Sequence, residues 1–196
     1  MDVLSLIFIS VGMAMDAFAV SITNGMTAKN FTRRTAVLCA LCYGGFQFAM
    51  PLIGWFAGSR AYELISSVDH WIAFALLAFI GGKMIFDAIK DMRSGEEKKG
   101  ITLTVKTVIL QGVATSIDAL AIGISFAALG LGIAFDGSIN IWIACLSIGV
   151  VTFVIPLIGG LLGKKIGPFL KNKAGILGGV ILIATGIKIL VEHLFF

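Results

Sequence analysis

The sequence predicts an all-helical integral membrane protein with six transmembrane helices, arranged as two inverted three-helix repeats. Three observations predict this fold. Of the 196 residues, 58% are hydrophobic and 13% are charged, and the mean hydropathy is +1.02, whereas soluble domains are about 25% charged. Six apolar segments follow one another along the chain. The second half of the chain also repeats motifs of the first half.

Each apolar segment supplies the ~20 residues that a helix needs to cross ~30 Å of hydrocarbon. We expect spans over residues 3–24, 35–58, 71–90, 103–128, 138–162 and 175–195. No basic stretch precedes the first segment, so we interpret it as a retained span and not as a cleaved signal peptide. The most charged connection follows residue 90, and it divides the chain into a first repeat (1–92), a cytoplasmic linker (93–101) and a second repeat (102–196).

Basic residues alternate between the connections. The odd connections together hold twelve lysines and arginines, and the even connections hold one. The positive-inside rule therefore places the odd connections in the cytoplasm and both chain termini outside. This distribution also explains the net charge of +4 without a nucleic-acid partner. The expected surroundings are the lipids of the cell membrane, and no sequence pattern indicates an oligomeric state.

The repeat is inverted in the membrane. Asp16 in MDAFAVSI matches Asp118 in IDALAIGI at an offset of 102, and MPLIGWFAG (50–58) matches IPLIGGLLG (155–163) at an offset of 105. In the third segments, the matching residues are Gly81, Lys83 and Asp87 with Gly186, Lys188 and Glu192. Each half holds three spans, an odd number, so the halves are inserted in opposite orientations. Such repeats are typical of secondary transporters, whose substrate site lies near the midplane.

Asp16 and Asp118 are the first candidate site residues. An ionisable side chain near the bilayer centre costs roughly 2.5 to 3.5 kcal/mol on insertion scales, and it usually faces a cavity on an ion or proton path. The alternative is that each aspartate bonds to neighbouring hydroxyls and joins two helices, but a repeated pair exceeds that need. Thr115 lies on the same polar stripe as Asp118. Gly12 lies on the stripe of Asp16, where small residues let two helices approach.

Pro51 and Pro156 lie inside the second and fifth segments. Each proline removes the hydrogen bond to the carbonyl four residues earlier, at Gln47 and Thr152. Each site therefore offers a freed carbonyl and a side-chain oxygen at one depth, and interrupted helices of this kind coordinate cations in transporters. The alternative is an ordinary proline kink resolved by packing. The symmetry of the pair favours a ligand role.

Lys83 with Asp87, and Lys188 with Glu192, are spaced four residues apart in the third and sixth segments. We interpret them as intrahelical ion pairs with a structural role, in which the lysine stem extends towards the membrane surface. A role in transport is the alternative.

The candidate ligands are oxygen atoms of carboxylates, an amide, hydroxyls and backbone carbonyls. Hard oxygen donors suit magnesium, calcium and manganese, so the residues alone leave the ion open. The text GGLLGKK (159–165) lacks the glycine spacing and the hydroxyl of an ATP-binding loop. A pair of aspartates also serves intramembrane proteases, but neither aspartate here follows a G-x-G sequence. We therefore expect a transporter and not an enzyme, with no cofactor.

Long blocks of the chain resemble the small bacterial manganese efflux pumps related to the lysine-exporter superfamily. The blocks are residues 12–21, 43–55, 70–74, 81–85 and 114–123. The resemblance implies manganese export from the cytoplasm, with the family's intramembrane acids at Asp16 and Asp118 and its polar position before the proline at Gln47. The runner-up is an exporter of amino acids or another small cationic solute. That reading lacks an arginine at the midplane to bind a carboxylate.

The energy source follows from charge. Moving a divalent cation outward against an inside-negative potential costs roughly 4.6 kcal/mol per 100 mV, so a uniporter runs inward. An empty pair of carboxylates in a poorly solvated place favours proton uptake, and arriving metal displaces the protons. We therefore expect metal/proton antiport through Asp16 and Asp118, which protects the cell against manganese excess. A one-proton or uncoupled cycle fits the same residues.

Overall fold

A computed structural model describes residues 3–58, 102–128, 131–132, 139–170 and 174–195, together with nine residues between 74 and 89. Across these residues the chain is helical and contains no β-strand. The helices with complete bounds are α1 (Val3–Thr27), α2 (Arg33–Ala57), α3 (Val105–Ala114), α4 (Ile117–Ala128), α5 (Ile141–Leu170) and α6 (Ala174–Phe195). The all-helical class that the composition predicted is confirmed for this part of the chain.

Within the described part of the chain, four stretches are long and apolar enough to cross a membrane. They are Val3–Thr27, Arg33–Ala57, Val105–Ala127 and Ile141–Gly167, and they correspond to the first, second, fourth and fifth predicted segments. The sixth segment is helical as α6. Most of the predicted third segment (71–90) and the whole of the linker (93–101) lie outside the described residues.

Side-chain caps fix where two of the helices begin. The Thr32 hydroxyl accepts the N–H of Thr35 at 3.1 Å before α2, and the Thr104 hydroxyl accepts the N–H of Thr107 at 3.2 Å before α3. Threonine is a favoured residue at this position because its oxygen satisfies an N–H that has no partner in the helix. Both helices therefore start from the end of the bundle at which the first and third connections meet.

The helices pack through small residues. α1 lies along α5, α2 lies against α5, α3 and α4, and α6 contacts α1. On α5, the glycines whose added Cβ would collide with α1 are Gly159, Gly160, Gly163 and Gly167. Interfaces of this type are usual between membrane helices, because small residues let backbones approach closely.

Gly44 on α2 and Gly149 on α5 make a reciprocal contact where these helices cross. A Cβ added to Gly44 would lie 2.7 Å from the carbonyl oxygen of Gly149 and 3.2 Å from Cβ of Phe153. A Cβ added to Gly149 would lie 3.1 Å from the carbonyl oxygen of Gly44 and 3.0 Å from Cβ of Phe48. Each pair, 44 with 149 and 48 with 153, is separated by 105 residues. The crossing therefore places matching positions of the two halves against each other.

The fourth segment is divided, whereas the sequence predicted one helix over residues 103–128. A turn at Thr115 and Ser116 separates α3 from α4. The Thr115 hydroxyl donates to the Gln111 carbonyl at 2.9 Å, and the Ser116 hydroxyl donates to the Val113 carbonyl at 3.1 Å. Hydroxyl side chains compete in this way with the backbone bonds of a helix. The break therefore comes two residues before Asp118.

The structure shows where the two prolines and Gly12 lie in their helices. α2 and α5 continue through Pro51 and Pro156 and are not interrupted there. The Pro156 carbonyl accepts the Ser21 hydroxyl of α1 at 2.7 Å, and this bond ties α1 to α5 at the proline. At Gly12, an added Cβ would meet no described atom within 4 Å. The expected close helix contact lies elsewhere on α1, along the glycines of α5.

Candidate metal site

Asp16 and Asp118 come together although 102 residues separate them. Asp16 is buried in the middle of α1, and Asp118 lies in the first turn of α4. The Asp118 carboxylate accepts the N–H of Ala119 at 2.9 Å, and the positive end of the α4 dipole favours a negative charge there. The two carboxylates are near enough to repel each other electrostatically. The pair therefore concentrates negative charge at the helix break.

Gln47 of α2 joins the two chain segments that carry the acids. Its side-chain amide nitrogen donates to the backbone carbonyl of Thr115 at 2.7 Å and approaches the carbonyl of Met13 at 3.4 Å. Met13 and Thr115 each lie three residues before an aspartate, Asp16 and Asp118. Gln47 thus links α1 to the break between α3 and α4 through two carbonyls that occupy equivalent positions before the two aspartates.

Two buried oxygens at the proline turns have no hydrogen-bond partner within the described part of the chain. They are Oε1 of Gln47 and Oγ1 of Thr152, whose side chains are fully buried. A third is Oγ1 of Thr23. A buried polar atom left unpaired costs about 1 to 3 kcal/mol, so each one calls for an explanation such as an absent ion. Gln47 and Thr152 are matching positions, 105 residues apart.

Lys188 of α6 forms a salt bridge that the sequence did not predict. Its Nζ lies 3.0 Å from Oδ1 of Asp16, and its charge also acts on Asp118. The predicted partner of Lys188 was Glu192, whose side chain lies outside the described residues, as do Lys83 and Asp87. Those intrahelical pairs stay predictions. The signal that could have revealed the contact is a lysine and an aspartate that both lie within apolar segments.

A polar cluster formed by Asn24, Tyr43 and Gln111 lies between the acids and one end of the bundle. The Asn24 amide donates to the Tyr43 hydroxyl and to the Gln111 amide oxygen, each at 2.9 Å. The Tyr43 hydroxyl donates to the same oxygen at 2.9 Å, and the Gln111 amide returns a bond to Asn24 at 3.1 Å. All three side chains are buried. The cluster therefore ties α1, α2 and α3 together.

Basic residues gather at the end of the bundle beyond this cluster. Asn30, in the first connection, exchanges hydrogen bonds with the backbone of Leu103 at 3.1 and 3.0 Å. A Cβ on Gly25, near the end of α1, would lie 2.8 Å from the backbone nitrogen of Lys164. These contacts bring the first connection, the start of α3 and the part of α5 that carries Lys164 and Lys165 to one end. The basic residues described there are Lys29, Arg33, Arg34, Lys106, Lys164 and Lys165.

The ligand chemistry of the described residues is that of oxygen. They contain no group of three or more histidine, cysteine, aspartate or glutamate side chains that could hold a metal. The three cysteines are free thiols, and Cys39 and Cys145 are buried. Oε1 of Gln47 and Oγ1 of Thr152 are buried neutral oxygens without a described partner, and their role as further ligands of a cation at Asp16 and Asp118 stays a prediction. The Thr115 hydroxyl already donates within its own helix but keeps a lone pair.

Comparison with known families decides the relationship. A family described as "Putative manganese efflux pump" matches residues 30–190. The chain belongs to this family. Relatives with the name "Putative manganese efflux pump MntP" include one from Clostridium botulinum at 49% identity and one from Clostridium perfringens at 44%, and each alignment covers 98% of this chain and 96% of the relative. A third, from Gloeothece citriformis, is 46% identical over 100% of this chain and 98% of its own. No solved structure matches the chain.

Proposed function

We propose that this protein exports manganese(II) from the cytoplasm across the cell membrane and so protects the cell against manganese excess. The observation that carries the proposal is the pair of intramembrane carboxylates, Asp16 and Asp118, which Gln47 holds at the break between α3 and α4. Family membership supports manganese as the substrate. An amino-acid exporter is less suited to this site, because the described residues place no arginine beside the two acids.

The metal site consists of oxygen ligands. Asp16 and Asp118 supply the charge, and Gln47 and Thr152 supply neutral oxygens that have no other described partner. Manganese accepts such hard donors, whereas zinc and copper bind more strongly where imidazole or thiolate is offered. Thr115 contributes through its hydroxyl. The manganese ion is the transported substrate, and no resident cofactor is needed.

Two inverted repeats, 1–92 and 102–196, surround the site. Three relationships support this arrangement. Gly44 and Gly149 contact each other reciprocally. Gln47 reaches carbonyls at the matching positions Met13 and Thr115. The Pro156 carbonyl accepts the Ser21 hydroxyl, and the matching contact joins the Pro51 carbonyl to Gly123, where an added Cβ would collide.

The described basic end faces the cytoplasm, with residues 93–101 as a linker on that side and both chain termini outside. The support is the gathering of six lysines and arginines at one end of the bundle and the preference of basic residues for cytoplasmic connections. The cluster of Asn24, Tyr43 and Gln111 then lies between the site and the cytoplasm. It closes this side of the transporter in the present conformation.

The outer side is closed by apolar residues at the matching positions. The repeat offsets relate Asn24, Tyr43 and Gln111 to Phe126, Ile148 and Ile9, which lie in one apolar cluster. Alternating access then requires the polar cluster to open towards the cytoplasm and the apolar cluster to open outward. Hydrogen bonds hold one side and burial of apolar surface holds the other.

Proton entry drives manganese exit. Export of a divalent cation against the membrane potential costs roughly 4.6 kcal/mol per 100 mV, so another charge must move inward. The aspartates supply the means, because they exchange metal for protons. In proteoliposomes that contain a pH dye, added manganese should drive protons in the opposite direction. Manganese flux without a pH change, and without response to an imposed pH gradient, would rule out the coupling.

Cells provide the test of the function itself. In a strain that lacks manganese exporters, this protein should lower the manganese content of the cells and restore growth in excess manganese. The control is the same strain with an empty vector, and the membrane content of the protein is checked by immunoblot. An inserted protein that leaves manganese content and growth unchanged would contradict the proposal.

A further inference from the structure

Lys188 brings a positive charge to the candidate metal site from a different helix. Its ammonium nitrogen lies 3.0 Å from Oδ1 of Asp16, a distance at which a charge-assisted hydrogen bond forms. The Asp16 side chain is 7% exposed and the Lys188 side chain is 45% exposed. The Asp16 carboxylate therefore lies in the protein interior, while nearly half of the Lys188 side chain that reaches it is exposed.

The bond to Lys188 and a bond to manganese compete for the same carboxylate. In the present conformation Oδ1 of Asp16 is paired with the Lys188 ammonium group. The lysine charge also interacts electrostatically with Asp118. A divalent cation between the two acids would repel an ammonium group at that position. A lysine has a compact charge on a flexible four-carbon stem, so it can leave the carboxylate without movement of its helix.

We propose that Lys188 is a tethered counter-ion, which neutralises Asp16 when the site is empty and is displaced when manganese binds. This inference rests on the proposed function and adds a residue to it. Two bare carboxylates in a poorly solvated place are costly. Lys188 lowers that cost at Asp16 while no metal is present, and it leaves Asp118 to carry the proton that the proposed exchange brings inward. The empty transporter can then change between its two open states. Lys188 therefore serves the return step of the cycle and opposes metal binding.

The test separates metal binding, exchange and net transport in purified, reconstituted protein. Lys188→Gln should bind manganese about tenfold more tightly or better, since close charge pairs show couplings of at least this size. Its exchange of labelled for unlabelled manganese across the membrane should persist, because exchange does not need the empty site to return. Its net efflux should fall several-fold. Lys188→Arg, which keeps the charge, should retain more net efflux than Lys188→Gln.

Lys165→Gln is the matched control, because it removes one positive charge from an exposed position at the basic end. It should leave affinity, exchange and net efflux at wild-type values. A Lys188→Gln protein with wild-type affinity and net efflux would show that the salt bridge is structural only. Weaker manganese binding by Lys188→Gln would overturn the proposal as well. If the Lys188 ammonium group competes with manganese for Asp16, its removal cannot lower the affinity for manganese.

A second measurement uses the wild-type protein and so does not depend on a variant that folds. Saturating manganese should raise the reactivity of the Lys188 amine towards an amine-specific label, read by mass spectrometry of the peptide. Unchanged or lower reactivity would contradict displacement. If the wild-type protein moves no manganese in the exchange assay or in the net-efflux assay, the proposed function fails, and the proposed role of Lys188 fails with it. Failure at Lys188 alone leaves wild-type transport intact.

Discussion

The side-chain amide of Gln47 donates to the backbone carbonyl of Thr115 across 2.7 Å, and this bond joins the proline-containing helix α2 to the break between α3 and α4. The same nitrogen approaches the carbonyl of Met13. One neutral side chain thus contacts both backbone segments that lead to the aspartates, α1 at Met13 and the helix break at Thr115. Its other polar atom, Oε1, has no hydrogen-bond partner among the described residues. Gln47 is therefore both a brace for the site and a candidate ligand.

Thr152→Val separates a ligand role from a structural role at the matching position. Valine has nearly the shape of threonine, and the Thr152 hydroxyl is buried without a described partner. Removal of an unpaired buried group should raise the free energy of unfolding, by about 1 kcal/mol or more. Loss of a metal ligand should at the same time weaken manganese binding. Thermal unfolding and manganese titration of the purified protein measure the two effects.

Gln47→Ala is the comparison for this variant, because it removes the hydrogen bonds that the amide nitrogen donates to Met13 and Thr115 as well as the unpaired oxygen. It should lower both stability and manganese affinity, whereas Thr152→Val should move them in opposite directions. Unchanged affinity in Thr152→Val would remove Thr152 from the ligand set.

Tyr43→Phe should weaken the closure of the basic side. The hydroxyl of Tyr43 joins Asn24 to Gln111, and its removal takes away two hydrogen bonds of a buried network, at about 1 kcal/mol each. Cys39, which is buried one helical turn away on α2, is a natural reporter. In inside-out vesicles, with Cys42 and Cys145 replaced by serine, a thiol reagent should label Cys39 faster in the variant. Equal labelling rates would contradict a gating role for the cluster.

The orientation of the chain is tested by single cysteines in a background free of the three natural ones. Ser94→Cys lies in the third connection and Ser138→Cys in the fourth. With an impermeant thiol reagent added to whole cells, Ser138→Cys should be labelled and Ser94→Cys should be protected. Labelling of both, or of Ser94→Cys alone, would reject the predicted orientation and with it the outward position of the termini.

Sequence patterns predicted the membrane-spanning helices, because the bilayer sets their length and their apolar composition. A bilayer requires ~20 apolar residues in each crossing helix, so the four described spans follow the predicted segments closely. The meeting of Asp16 with Asp118 was predictable for a different reason. A repeated acid in an apolar segment has few tolerable positions other than a shared polar interior.

The features that escaped prediction depend on contacts between distant residues or on weak local signals. Lys188 and Asp16 are 172 positions apart, so no local spacing marks them as partners. Thr115 and Ser116 break a helix through hydroxyl bonds, and this signal is less obvious than that of Pro51 or Pro156, through which the helices continue. Among the members of the polar cluster, Asn24 lies outside the blocks that resemble a known family, and Tyr43 begins one of them (43–55) without a predicted role of its own. Their role depends on the depth at which three helices meet.

The most direct measurement is manganese flux through purified protein in liposomes that contain a metal-sensitive dye, with Asp16→Asn and Asp118→Asn compared with wild type. Each variant removes a charge and keeps the shape of the side chain. Loss of one charged ligand should weaken manganese binding by roughly 30-fold or more. We expect rapid flux in the wild type and in Lys165→Gln, and none above the protein-free background in either asparagine variant. Wild-type flux in a folded Asp16→Asn or Asp118→Asn protein would show that manganese takes another path.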